Sequence, residues 1–286
     1  MLGKITVSLL FLLLVWGNVV AGLKVGLACP DWPLCHGKVL PPFRWDIYME
    51  FMHRVIGAIT SVFIILLSYK RFKNYKAEAR LIPVVTVFLL IFQIILGGVV
   101  VLLKLPVDIT TFHFSIAIII FFLTFYMAFF NGEAGGKKPV FSIRGFSGLF
   151  FLLSILVSIQ AVLGAYVRHS NAGLACPDFP TCLGYWIPPE LSGVVLTHYS
   201  HRSLAYLIFI ITLFLYAFSF ASSELSQKRA KILILFLLIL LQVIVGVSVI
   251  HSKLYFLATA FHLAVALLIL SAILYLWFQV MIEKRV

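Results

Sequence analysis

Charge is what this chain has least of. Its 286 residues include ten Asp and Glu, and charged residues of all kinds reach only 11%. Hydrophobic residues make up 63%, and the mean hydropathy is +1.11. So little charge excludes an ordinary soluble domain and points to an all-α polytopic membrane protein. The net charge of +12 does not argue for nucleic acid, and no nucleic-acid partner is expected. Most of the Lys and Arg stand in short links between apolar runs, where positive charge sets orientation. Cysteine is also sparse. The four cysteines fall in two loop pairs, Cys29/Cys35 and Cys176/Cys182, as suits the oxidising side of a membrane.

Runs long enough to cross a hydrocarbon core of ~30 Å lie at roughly 5–23, 46–69, 81–103, 109–130, 146–168, 194–220, 230–250 and 256–280. Eight transmembrane helices are expected. The first run, with Lys4 ahead of it, has the look of a signal peptide; the repeat described below argues that it is kept. One set of links holds Lys4, Lys70, Arg71, Lys73, Lys76, Arg80, Lys137, Lys138, Arg144, Lys228, Arg229, Lys231, Lys284 and Arg285. The alternate set holds only Lys24, Lys38, Arg44, Lys104, Arg168 and Lys253. The positive-inside rule then places both termini in the cytoplasm and both cysteine loops outside.

The chain repeats itself. Residues 26–33 read GLACPDWP and residues 173–180 read GLACPDFP. Cys29 and Cys176 are offset by 147, His53 and His201 by 148, His113 and His262 by 149. Such a slow drift marks a tandem duplication. Two four-helix bundles are expected, over 1–133 and 140–286, related by a pseudo-two-fold along the membrane normal. The third, fifth and seventh helices carry Gln-x-x-x-Gly: Gln93/Gly97, Gln160/Gly164 and Gln242/Gly246. The first keeps Gly17 but has Leu13 in the glutamine's place. Close helix packing is the plainer use of this pattern, and contact with a bound group the sharper one.

The even helices carry the chemistry. His53, His113, His201 and His262 each lie a few residues in from an outer helix start. At ~1.5 Å per residue the two of each half share one depth. Titratable groups in a bilayer are costly, and two matched pairs argue for use. Zinc would want three or four protein ligands; each half offers two. Haem iron needs only an axial pair, and inward histidines of a bundle are a way to hold it. His36 follows Cys35, but no C-x-x-C-H motif exists, so any haem is held non-covalently.

Around these ligands stand the residues that could tune them. Glu50 precedes His53 by three positions, on the same helix face; in the second half His198 stands there instead. A carboxylate beside a haem edge can hold or pass a proton; the bland alternative pairs Glu50 with Arg54 or a loop lysine. Arg54 and Arg202 directly follow ligands and suit haem propionates, or else loop carbonyls. The C-x5-C pairs allow a structural disulfide in each loop, or a redox role for Cys29/Cys35. His36, His169 and His251 read as solvated rim groups.

Taken together, Glu50-Phe-Met-His53-Arg54, His113, His201-Arg202, His262 and the paired outer cysteines resemble the haem A synthase family over nearly the whole chain. The resemblance implies haem b on His201 and His262, and haem O near His53 and His113 as the substrate of oxidation to haem A. It implies that Glu50 is the catalytic acid, that Cys29/Cys35 bear on activity, and that Cys176/Cys182 are structural. An electron donor is then required. Haem O synthase, terminal-oxidase assembly factors and a second copy of the chain are candidate partners. A non-enzymatic di-haem b electron carrier, or a haem delivery protein, is the rival reading.

Overall fold

The computed structural model describes residues 1–130 and 145–283. Lys137, Lys138, Arg144, Lys284, Arg285 and the 133–140 boundary lie outside the described residues. The long helices are α1 (Leu2–Gly22), α2 (Trp45–Asn74), α3 (Leu81–Leu102), α4 (Val107–Phe129), α5 (Gly145–His169), α6 (Gly193–Phe218), α8 (Arg229–His251) and α9 (Phe256–Glu283); α7 (Ser223–Ser226) is a single turn. Eight of them are long and apolar enough to cross a membrane. The chain is thus an all-α membrane protein, and the helices match the expected runs within a few residues. The largest departure is α2. Its 30 residues span about 45 Å at 1.5 Å per residue, more than the hydrocarbon core requires.

Local chemistry sets the ends. Pro41-Pro42 cannot be helical, and α2 begins only after an extended Arg44, with Asp46 in its first turn and Arg71 and Lys73 in its last. Both charges complement the helix dipole. Pro106 starts α4 as its N-cap, where its fixed φ is tolerated. At the far ends of α1, α3 and α8 the chain turns through left-handed Lys24, Lys104 and Lys253, with φ of 58°, 60° and 53°. After α3 and α8 the link is thereby kept to four residues, whereas after α1 the same turn leads into the long first cysteine loop.

The contacts divide the chain into two compact units, Met1–Phe141 and Ser142–Val286. In the first, α1 packs on α2 and α4, and α3 packs on the same two helices. The four therefore close a ring, with α2 meeting α4 across it. In the second unit α5 packs on α6 and α9, and α8 packs on α6 and α9. The histidine-bearing helices stand on the diagonal of each ring. At the end remote from the cysteine loops, Arg71 Nε donates to Met127 O (2.7 Å) and Tyr75 Oη to Phe130 O (2.7 Å). In the second unit Lys231 Nζ donates to Gln279 Oε1 (2.7 Å).

Candidate functional site

Each of the four histidines leans on a glycine of the odd helix beside it. A Cβ built on Gly17 would lie 2.9 Å from His53 Cε1; on Gly97, 3.2 Å from His113; on Gly164, 3.0 Å from His201; on Gly246, 3.1 Å from His262. Any other residue would push the ring out of place. One turn before three of these glycines, an amide touches the same ring. Gln93 Nε2 lies 3.1 Å from His113 Nε2, Gln160 Nε2 3.4 Å from His201 Nε2, and Gln242 Nε2 3.3 Å from His262 Nε2. Gln160 also donates to His201 O (2.9 Å). The Gln-x-x-x-Gly pattern was legible as close packing. Its purpose as a histidine seat needed the register between helices, which no single helix shows.

The Nδ1 atoms of His53, His201 and His262 are buried with no hydrogen-bond partner among the described residues. A buried polar nitrogen without a partner costs stability unless it has a use. Among the described residues no three His, Cys, Asp or Glu gather to hold a bare metal ion. Paired imidazoles with orphaned nitrogens, set in glycine seats and walled by apolar helices, fit the axial ligation of a haem iron.

Above each pair lies a cysteine loop pinned by one arginine. Arg54 Nη1 donates to Asp31 O (2.8 Å) and Leu34 O (2.6 Å), and Nη2 donates to Cys29 O (2.9 Å) and Glu50 Oε1 (2.6 Å). Arg202 repeats this on Asp178 O (2.5 Å), Thr181 O (2.6 Å) and Cys176 O (2.5 Å). Both arginines thus take the loop-carbonyl alternative anticipated from the sequence. Glu50 is 4% exposed. Its second oxygen accepts the Cys29 N–H (2.7 Å). His198, 5% exposed, takes the matching place. Its Nδ1 lies 3.0 Å from Ala172 O and 3.4 Å from Cys176 N, and Arg202 Nε donates to its Nε2 (3.3 Å).

Both cysteine pairs are disulfides, Cys29–Cys35 and Cys176–Cys182, and all four residues are buried. Each closes a small turn whose centre is organised by an aspartate that sequence reasoning passed over. Asp31 accepts from His36 N (2.6 Å) and Gly37 N (2.7 Å). Asp178 accepts from Leu183 N (2.7 Å), Gly184 N (2.9 Å) and the Thr181 hydroxyl. The signal was present: both aspartates lie within the repeated octapeptide. Hydrogen bonds from Thr181 and Gly184 hold the Asp178 carboxyl down at about 2, and the Gly37 N–H lowers that of Asp31. Trp32 lays the first loop on α3, its Cδ2 2.8 Å from where a Gly98 Cβ would sit. His36 and His251 are exposed and His169 ends α5; His36 Nε2 contacts Ala28 O (2.8 Å) within the first loop.

Comparison with known proteins agrees with this arrangement. Residues 42–274 match the model of a family described as cytochrome oxidase assembly protein. The chain is 30% identical over 237 residues to a haem A synthase of Shouchella clausii, covering 79% of this chain and 77% of that one. It is 31% identical over 279 residues to one from Bacillus licheniformis, covering 92% and 90%. Against one from Alkalihalophilus pseudofirmus the identity is 33% over 214 residues, covering 71% and 70%.

Proposed function

The chain belongs to the cytochrome oxidase assembly protein family, and on that footing we propose that it is a haem A synthase, a membrane oxidoreductase that converts haem O to haem A. Its relatives of that name span most of its length. A methyl group of the substrate is oxidised to a formyl group through a geminal diol that loses water, with an external oxidant of the dioxygen class taking the electrons removed from that carbon. The observation that carries the assignment of the two halves is a chemical difference beside the ligands. Glu50 stands three residues before His53, and His198 stands three before His201.

In this reading the first unit takes haem O between His53 and His113, and the second holds a resident haem b on His201 and His262. Haem b supplies the one-electron chemistry. The protein's own part is orientation, dry walls and one placed acid. Cys29 N–H and Arg54 fix both oxygens of Glu50, so its carboxylate is held in a defined pose against the first loop, three residues from His53. There it holds or passes a proton as the substrate methyl is oxidised. The second unit has the same loop lock built on an imidazole, and so binds without converting. The cysteine loops face outward and both termini are cytoplasmic, as the charge asymmetry requires.

The test is direct. Purified protein is incubated with haem O and an electron donor, and the extracted pigment is chromatographed. Haem A is the expected product. Recovery of unchanged haem O, with both sites loaded, would leave an electron carrier as the better account.

A further inference from the structure

We propose that Gln93, Gln160 and Gln242 are positioning residues that hold His113, His201 and His262, and that Leu13 leaves His53 as the yielding ligand of the substrate site. The inference rests on the haem reading above and deepens it. Three of the four seats are alike. An amide stands one turn before the seat glycine and lies 3.1–3.4 Å from the ring Nε2. With the Nδ1 lone pair given to iron, Nε2 carries the ring proton, and the amide, whose oxygen and nitrogen exchange by a half-turn, accepts that N–H through Oε1. That bond sets the ring's rotation about Cβ–Cγ. Each of these glutamines also has a buried Oε1 with no partner among the described residues. An amide kept in an apolar bundle at that cost has the ring as its reason.

The fourth seat differs. Leu13 stands four residues before Gly17, where the other seats have glutamine. Its Cδ1 packs 3.9 Å from the Cβ position of Gly57, one turn beyond His53 on α2. It offers the ring only hydrocarbon. Gly17 still approaches His53 as closely as any seat glycine, at 2.9 Å, so the space is conserved between the seats and only the polar hold is missing. His53 Nδ1 has no partner among the described residues.

The resident unit thus has two held imidazoles, and the substrate unit has one held and one unheld. Iron between two firm imidazoles passes electrons but admits no small ligand. Iron with one yielding imidazole can open a coordination place. The asymmetry falls in the unit whose guest must react.

The test uses carbon monoxide as a probe of ligand yield in the reduced, haem-loaded protein. In a His201→Ala/His262→Ala background the only haem lies in the first unit; in a His53→Ala/His113→Ala background it lies in the second. The first should bind carbon monoxide and the second should not. Leu13→Gln should weaken binding in the first background by about fivefold, the scale of one net hydrogen bond. Gln242→Leu or Gln160→Leu should make the second background reactive, with a changed low-spin electron paramagnetic resonance signal in the ferric state. Equal carbon monoxide binding in the two backgrounds overturns the proposal. So does retention of haem with unchanged affinity in Leu13→Gln, or, should that variant not fold, unreactive haem in both glutamine variants. Failure of either background to take up haem at all would instead remove the ligand assignment beneath it.

Discussion

Gly164→Ala offers a clean perturbation of the resident site. The new Cβ would lie 3.0 Å from His201 Cε1, with Nδ1 at 3.6 Å and Nε2 at 3.8 Å. Ordinary contact begins near 3.4 Å, so the ring must retreat by about 0.4 Å, against neighbours that are themselves close-packed. Overpacking of this kind costs ~1–3 kcal/mol, which converts to roughly a five- to 150-fold loss of affinity for haem b. Gly57→Ala is the control. Its Cβ would meet only Leu13 Cδ1 at 3.9 Å, and both swaps bring the same gain in helix preference of ~1 kcal/mol. The difference between the two variants therefore isolates the seat. The assay is absorbance titration of purified protein with ferric haem b, following both affinity and the position of the low-spin bands. Wild-type affinity and an unshifted spectrum in Gly164→Ala would refute the claim that this glycine makes room for the ligand.

Other outcomes follow from the loops and the acid. Glu50→Ala should keep haem bound yet stop conversion at haem O or a hydroxylated intermediate; pigment chromatography that finds normal haem A removes Glu50 from the mechanism. The same variant deletes the acceptor of the Cys29 N–H, so the buried Cys29–Cys35 disulfide should be reduced and alkylated several-fold faster than in wild type, while Cys176–Cys182 is unaffected; equal rates would show that Glu50 does not hold that loop. The Asp178 carboxyl is held at about 2, below its ordinary 3.8. A depressed carboxylate stabilises above its unfolded value and loses that contribution as pH falls through the folded one. Fluorescence of Trp186, four residues beyond Cys182 in the same loop, should therefore stay native at pH 4 and change only as pH approaches about 2. In Asp178→Asn that transition should vanish, and its persistence would assign it to another group.

Much of this is legible in the sequence. The eight spans, the repeat and the two histidine pairs follow from hydropathy and register along single helices. What lay beyond reach was the partnering between elements. Gln93 and His113 are twenty residues apart on different helices, and nothing in either helix alone says that one amide meets the other's ring. Arg54 and Arg202 suited propionates and loop carbonyls equally well until the loop folded back over them. Asp31 and Asp178 were overlooked because an exposed loop aspartate beside proline is common; their value lies in backbone N–H groups five and six residues on, visible only once the turn closes.

The order of the helices around each ring has a bearing on how the sites come into being. Neighbours along the chain are neighbours around the ring, and α3 with α4 and α8 with α9 can dock across links of four residues soon after insertion. The exception is the seam where α1 meets α4, and likewise α5 meets α9. Until that last pair meets, α2 and α4 are free to splay, and no opposed imidazoles exist to grip an iron. Capture of a macrocycle must therefore coincide with, or follow, the final joining of first helix to last, which shields a half-inserted bundle from trapping a porphyrin in the wrong register.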